Sequence, residues 1–154
     1  MSLLNNLFDI LRGWPVADPI AEAYPVHQTV GAYDVLPPGT VVQLQLDGTA
    51  AKATTPNLAA ADGIPVWVVI ESNQDFSGQF LQKVVLLRCN AEFRLDPSNF
   101  TAGGYVVGTL LSFNTGQFTL ALTTNQVIGE VLQDNRAIDG TLKIFYHGGM
   151  YKKF

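Results

Sequence analysis

The sequence predicts a mainly β fold, a compact β-barrel or β-sandwich, preceded by a short N-terminal helix and an extended proline-rich arm. From residue 39 onward, short apolar or alternating runs recur between turn residues, which is typical of sandwiches and barrels. Five of the eight prolines lie between residues 13 and 38, where they disfavour both a helix and a sheet interior. We therefore divide the chain into a helix and arm over residues 1–38 and a β body over residues 39–154.

The N-terminal helix is predicted over residues 2–12, with Ser2 as its cap and Gly13 as its end. A helix this short is marginal alone in water, so its apolar face must dock on its own domain or on another subunit. We hypothesise that the arm anchors to a neighbouring subunit. The candidate residues are the apolar positions at helical spacing and the tryptophan that follows: Leu3, Leu4, Leu7, Phe8, Leu11 and Trp14.

The β body is predicted as a succession of strands and tight turns. Asp47-Gly48 and residues 114–116 have the composition of hairpin turns. Residues 64–70 are apolar enough to be buried on both faces, and residues 80–95 form one bent strand or two short ones. The predicted strands cover residues 40–46, 49–55, 64–70, 80–95, 104–113, 118–122, 127–132 and 141–146.

The body contains an internal echo. The run that begins at Gly39 and the run that begins at Gly104 both proceed through a strand, a tight turn, a strand, a polar gap and a further strand. Two interpretations fit this observation. The chain is built from two related half-barrels, or the echo is the ordinary order of any β-meander.

Composition excludes several classes of protein. The net charge is −4 and no basic patch is evident, so nucleic acid is not an expected partner. No apolar run approaches the ~18 residues of a membrane-spanning helix, and no membrane partner is expected. The first residues lack the basic start and apolar core of a signal peptide, which predicts synthesis and assembly in a cytoplasm.

The search for reactive groups predicts no catalytic residues, no metal site and no cofactor, and hence no enzyme. Phosphate-binding and nucleophile-elbow motifs are absent from the sequence, and its two histidines lack metal-ligand spacing. The lone Cys89 lies within an apolar run and is interpreted as a buried thiol. Glu71, Glu92 and Glu130 have the residue type of a glycosidase pair, but solvated acids at strand ends explain them more simply.

Residues 91–147 carry the features of a family resemblance. An apolar strand ends in an aromatic-acidic stretch, a glycine introduces the next strand and its turn, and an Ile-Gly-x-Val strand precedes a closing strand after Asp-Gly-x-Leu. The matching pieces are residues 93–96, 104–111, 114–117, 127–132 and 139–144. In these pieces, and in the hairpin-like run over residues 37–55, the chain resembles the head decoration, or cement, proteins of tailed bacteriophages.

The resemblance implies a β-tulip-like barrel or sandwich without catalytic residues. The implied function is that of a virion structural protein that binds the outer surface of an icosahedral phage capsid and stabilises the head by clamping neighbouring capsomers. The implied partners are the major capsid protein and other copies of the chain, with trimers expected before dimers. The N-terminal helix and arm are not part of the simplest family pattern, so the mode of docking stays open.

Two other classes of function are weighed against this one. A tail, baseplate or capsid-surface module that binds host carbohydrate needs an aromatic ring beside acids or amides, and Trp67 is the largest candidate, although its valine-rich run predicts burial. A small enzyme would need a pocket that brings His27 or His147 together with two acids.

Overall fold

The computed structural model describes residues 8–14, 21–25, 28–29, 32–33, 35–54, 65–72, 83–87, 90–122, 125–147 and 152–153. This part of the chain is built from strands and one 3-10 turn, Pro97–Asn99, and contains no α-helix. The strands are β1 Asp9–Trp14, β2 Ala21–Pro25, β3 Gln28–Thr29, β4 Ala32–Tyr33, β5 Val41–Leu44, β6 Ala50–Lys52, β7 Trp67–Glu71, β8 Lys83–Leu87, β9 Asn90–Leu95, β10 Leu110–Asn114, β11 Gln117–Leu120, β12 Gln126–Val127, β13 Gly129–Asn135, β14 Thr141–Tyr146 and β15 Lys152–Lys153.

Two antiparallel sheets form the body. Sheet I has the strand order β2-β8-β7-β5-β6, and sheet II has the order β1-β9-β14-β13-β10-β11. Sheet II curls into a half-barrel and shares one core with sheet I. In that core Val41 and Val68 of sheet I pack with Phe93 and Ile144 of sheet II, and all four are fully buried. The predicted fold class, a mainly β barrel or sandwich, is confirmed.

Sheet I is buried on both faces. Val66 and Val68 belong to the shared core, whereas Val69 belongs to a second cluster on the opposite face, where Trp67 packs against it. The prediction that residues 64–70 are buried on both faces is therefore confirmed for Val66, Val68 and Val69, whereas Pro65 is exposed and residue 64 lies outside the described residues. The second cluster also contains Leu36, Val42, Ala50, Val84 and Leu86.

The N-terminal helix predicted over residues 2–12 is wrong for residues 9–12. These residues belong to β1, which pairs antiparallel with β9 at the edge of sheet II. Residues 1–7 lie outside the described part of the chain. Residues 9–12 form a strand because pairing with β9 supplies more hydrogen bonds than one isolated helical turn does. Such tertiary contacts override a weak local preference for helix.

The register between β1 and β9 has one irregularity. It places the Cα atoms of Asp9 and Arg12 opposite those of Arg94 and Glu92, with a register shift between Ile10 and Arg12. β2 likewise pairs with β8 at the edge of sheet I. The arm therefore adds one edge strand to each sheet, which agrees with the exclusion of its prolines from a sheet interior.

Of the two alternatives predicted for residues 80–95, the structure has the second, two short strands, β8 and β9, which belong to different sheets. One strand prediction is corrected. The strand predicted to begin at Gly104 begins at Leu110, because residues 104–109 turn around Gly108, whose φ is 88°. The hairpin turns predicted at Asp47-Gly48 and at residues 114–116 are confirmed.

The two sheets repeat one plan. In each sheet, the strand at one side comes first in the chain and the hairpin at the other side comes next. The last two strands then lie between them, which gives the orders β2-β8-β7-β5-β6 and β9-β14-β13-β10-β11. Each sheet has a register shift at the same place, between Val69 and Glu71 in β7 and between Val131 and Gln133 in β13. β1 lies outside the plan as an added sixth strand.

The repetition extends to single hydrogen bonds. The N–H of Gly39 donates to the carbonyl of Val69, and the N–H of Gly108 donates to the carbonyl of Val131, both at 2.8 Å. The two glycines have φ values of 86° and 88°. Gly39 thus corresponds to Gly108, not to Gly104 as the sequence echo suggests. These shared details favour two related half-barrels over an ordinary meander.

Candidate functional site

The arm is anchored in its own body at Phe8. The ring of Phe8 lies 4.9 Å from the ring of Phe93, which in turn stacks on Tyr146 at 5.4 Å. The Tyr146 hydroxyl donates to the carbonyl of Val66, just before β7 of sheet I, at 2.7 Å, and this bond is buried. The contacts of Phe8 thus lead directly into the shared core.

The six residues predicted to bind a partner therefore divide into three groups. Phe8 packs in its own chain. Leu11 and Trp14 belong to β1, but their side chains lie outside the description. Leu3, Leu4 and Leu7 lie wholly outside the described residues, so their role as partner contacts stays a prediction.

The turn around Gly39 is covered by a cap from the other half of the molecule. The Asn99 side chain is 3% exposed, donates from Nδ2 to the Pro38 carbonyl and accepts from the Asp96 N–H, both at 2.9 Å. A Cβ on Gly39 would lie 2.5 Å from Asn99 Nδ2. The turn and its cap fit together so closely that only glycine is accommodated there.

Among the described residues, no side chain caps the corresponding turn around Gly108. A Cβ on Gly108 would meet no atom within 4 Å, and the two preceding side chains, Val106 and Val107, are 65% and 70% exposed. The turn itself is well formed, because the Thr109 N–H donates to the Val106 carbonyl at 2.9 Å. Two valines are therefore held at the surface by a rigid turn.

Arg136 fastens the neighbouring loop to this turn. Its guanidinium donates to Asp134 at 2.8 and 2.9 Å and to the Tyr105 carbonyl at 2.9 Å, and it lies over the Tyr105 ring at 5.2 Å. The hydrogen bond from Arg136 lowers the pKa of Asp134 from 3.8 to about 2 and raises the pKa of Arg136 itself. The loop after β13 is thus fixed beside residues 103–109.

Two further apolar side chains lie at the same end of sheet II. Ile138, in the loop fastened by Arg136, is 84% exposed. Leu122, 66% exposed, follows Ala121, whose N–H donates to the Leu110 carbonyl at the start of β10. We call Val106, Val107, Leu122 and Ile138 the apolar end surface. They are four of the seven large apolar side chains exposed in the described part of the chain.

One feature of the sequence, a long run without charge, was consistent with this surface, but the strand-like pattern of the run favoured another interpretation. Residues 97–129 contain no charged side chain, although charged residues make up 14% of the chain. We interpreted the apolar residues in that run as strand interior, whereas Val106 and Val107 belong to a turn.

The acids considered for catalysis do not form one cluster. Glu71 is exposed at the end of β7 in sheet I. Glu92 in β9 and Glu130 in β13 lie in sheet II, where Phe145 of the strand between them, β14, is paired with both. Over the described residues, no group of three His, Cys, Asp or Glu could hold a metal ion. Cys89 and His27 lie outside the description, and His147 makes an edge contact with the ring of Phe145 at 5.4 Å.

Trp67 lies beside the cavity that bears on the carbohydrate alternative. It is half-buried and lines a cavity of about 260 Å³ with Gln43, Leu44 and Pro65. The prediction that Trp67 is buried is thus met only in part. Trp67 packs against the second cluster of sheet I.

No family model, curated protein or solved structure matches the chain. Among the described residues, no helix is long and apolar enough to cross a membrane.

Proposed function

We propose that the chain is a virion structural protein that binds the outer surface of an icosahedral phage capsid and stabilises the head by clamping neighbouring capsomers. Its partners are the major capsid protein and neighbouring copies of itself, with a trimer expected before a dimer from the family resemblance. It is made in the host cytoplasm, acts without catalysis or a cofactor, and binds neither nucleic acid nor membrane.

The observation that carries this proposal is the way in which the arm is anchored. Phe8 and β1 fix the arm to the edge of sheet II, and the seven residues before Phe8 include Leu3, Leu4 and Leu7. A β body with an apolar segment beside a fixed edge suits a clamp, because the apolar side chains of that segment can bury surface against a neighbouring subunit. Repetition around a shell multiplies weak contacts into avidity.

Co-sedimentation of the purified chain with heads that lack it tests the proposal. We expect the wild-type chain to pellet with such heads and a chain carrying Leu3→Ser, Leu4→Ser and Leu7→Ser to remain in the supernatant. The matched control is Leu46→Ser, which removes one fully exposed leucine from the β5–β6 turn. If the triple variant binds heads as tightly as the wild type, the arm does not dock. If the wild type itself does not bind, the proposed function is wrong.

The carbohydrate-binding alternative is kept because of Trp67. A tryptophan beside an open, mostly apolar cavity is a common site for stacking a sugar ring, and the Gln43 amide supplies a polar group at its rim. A glycan array with the wild-type chain tests this candidate. Absence of binding eliminates it, and binding that persists in Trp67→Ala assigns the sugar to another site.

A further inference from the structure

We infer that a polar cavity between the two half-barrels is a binding site for a small carboxylate that carries hydroxyl groups. The cavity has a volume of about 250 Å³, close to the lower end of the range for small-molecule sites. It is lined by Pro37, Thr40 and Lys52 from the half-barrel of sheet I, and by Ser98, Asn99 and the turn over residues 115–117 from that of sheet II. The inference does not depend on binding to a capsid, and the cavity is separate from the one beside Trp67.

The walls of this cavity are held together by hydrogen bonds between the two half-barrels. The Gly116 N–H donates to the Ala53 carbonyl, and the Val41 N–H donates to the Gly116 carbonyl, both at 2.8 Å. The buried Asn99 side chain adds a third bond between the halves, to the Pro38 carbonyl at 2.9 Å. A ligand therefore meets walls that are already in place, which lowers the entropic cost of binding.

The turn at this cavity has a backbone conformation that is unusual for its residue. Thr115 has a φ of 47°, and in the described part of the chain it is the single non-glycine residue with a positive φ. A β-branched residue is rarely found there, because its Cβ crowds the following carbonyl. Strained residues of this kind cluster at ligand-binding and other functional sites. The place of Thr115 in the lining is therefore a second indication of a ligand site, independent of the volume of the cavity.

Lys52 is the cation of this cavity. Its side chain is exposed and makes no ion pair or hydrogen bond with any described residue. A Cβ on Gly116 would lie 3.1 Å from Lys52 Cγ, so the aliphatic stem of Lys52 lies against this glycine. Contact along the stem keeps the ammonium near the turn. A bound carboxylate would accept a charge-assisted hydrogen bond from this ammonium.

The donors of the lining argue against phosphate as the ligand. Phosphate sites use clusters of backbone N–H groups, and the backbone N–H groups here are already engaged within the chain. The engaged groups belong to Thr40, Ser98, Asn99, Thr115 and Gly116. The Asp96 carboxylate, which accepts from the Ser98 hydroxyl at 2.7 Å, adds a negative charge beside the lining and opposes a doubly charged ligand. One ammonium with these surroundings therefore matches a singly charged carboxylate.

The remaining hydrogen-bonding capacity of the lining suits hydroxyl groups next to the carboxylate. The Gln117 amide donates to the Ser98 carbonyl at 3.0 Å, which leaves its oxygen and its second N–H for a ligand. The Asn99 amide likewise keeps one N–H beside the one that it uses. The Thr40 and Thr115 hydroxyls donate within the chain and can still accept. Donors and acceptors both line the cavity, and a hydroxyl group can bind to either.

Titration of the isotope-labelled full-length chain, followed through its amide chemical shifts by NMR, tests the inference. The probe is sodium D-glucuronate, and the comparison compounds, at the same ionic strength, are D-glucose, sodium acetate and inorganic phosphate. We expect glucuronate to shift the amides of Lys52, Gly116 and Gln117 in a saturable way, with a Kd between roughly 0.1 and 10 mM. Each comparison compound should bind at least about tenfold more weakly, because glucose lacks the charge, acetate lacks the hydroxyls and phosphate needs donors that the lining has already used.

A pair of lysine variants locates the charge that binds the probe. Lys52→Gln should weaken glucuronate binding by at least about tenfold, because it removes the ammonium from the cavity. The matched control is Lys83→Gln, which removes the same charge from an exposed lysine of β8 outside the cavity and should bind like the wild type. Both substitutions lie at exposed positions, and the unchanged amide shifts of the core confirm that each variant is folded.

Four results overturn the inference. The first is the absence of saturable shifts at the cavity in the wild type, which is also the result expected if another part of the chain fills it. The others are acetate or glucose binding as tightly as glucuronate, shifts confined to the surroundings of Trp67, and an equal loss in Lys52→Gln and Lys83→Gln. Tighter binding of phosphate at the same amides would refute the carboxylate class and assign the cavity to phosphate. Since no phage heads enter this experiment, its failure is distinct from a failure of the proposed function.

Discussion

Replacing Gly39 and Gly108 by alanine, one at a time, separates backbone strain from the effect of the Asn99 cap. The two glycines have φ values of 86° and 88° and donate to equivalent carbonyls at the same distance. They differ in the space available for a side chain. A Cβ on Gly39 would lie 2.5 Å from Asn99, whereas a Cβ on Gly108 would lie in open space. The pair is therefore a matched comparison within one molecule.

The expected magnitudes follow from this geometry. Alanine at a positive φ costs about 1–2 kcal/mol of unfolding free energy, and this cost applies to both positions. Gly39→Ala also displaces the Asn99 side chain, which loses its bonds to Pro38 and Asp96, for a further loss of about 2–3 kcal/mol. We expect Gly39→Ala to be less stable than Gly108→Ala by that second amount.

Equilibrium unfolding in urea measures both losses, and a double-mutant cycle with Asn99→Ala isolates the clash. In the Asn99→Ala background, Gly39→Ala should cost no more than Gly108→Ala costs in the wild type. Equal losses for the two single glycine variants would refute the reasoning. An unchanged cost of Gly39→Ala after removal of the Asn99 side chain would refute it as well.

Three further predictions concern single side chains. Ser112→Ala should raise the unfolding free energy by about 1 kcal/mol, because the fully buried Ser112 hydroxyl has no hydrogen-bond partner in the described part of the chain, and a loss of stability in urea would contradict this. Phe8→Ala should lower it by about 2 kcal/mol through the contact with Phe93, whereas an unchanged midpoint would mean that the arm is not anchored there. Folding lowers the pKa of Asp134 to about 2, so its pairing with Arg136 stabilises the protein above the ordinary pKa of 3.8 and is lost as pH falls from there. The difference in melting temperature between the wild type and Arg136→Gln should therefore become smaller as pH falls from about 4 to about 2, without vanishing because Arg136 keeps its contacts with Tyr105. A difference that stays constant over this range would rule this out.

The β body was predictable where local pattern and tertiary environment agree. The run over residues 64–70 is apolar on both faces because sheet I has a core on each side. Asp47-Gly48 and Asn114-Thr-Gly116 have the residues that hairpin turns require, and both turns join paired strands. In these elements local preference and the final fold favour the same structure.

The N-terminal segment was not predictable from its own pattern. Leu7, Phe8 and Leu11 have helical spacing, yet Asp9–Trp14 is a strand because the edge of β9 offers backbone hydrogen bonds. Periodicity within the segment contains no information about that edge, which lies some eighty residues further along the chain. Long-range pairing of this kind becomes visible only in the fold.

The apolar end surface was missed for a related reason. Val106 and Val107 are β-branched and stand before an apolar strand, so their pattern favours a strand interior. Only the comparison of Gly108 with Gly39 distinguishes a turn with a cap from a turn without one. The absence of charge across residues 97–129 was readable in the sequence, but it does not by itself say which apolar residues are exposed.

The central claim, that the chain decorates a phage capsid, is tested most directly by electron cryomicroscopy of heads prepared with and without it. We predict additional density on the outer surface, repeated at equivalent lattice positions, that accommodates the two-sheet body and is absent when the chain is omitted. Identical reconstructions from the two preparations would contradict the claim.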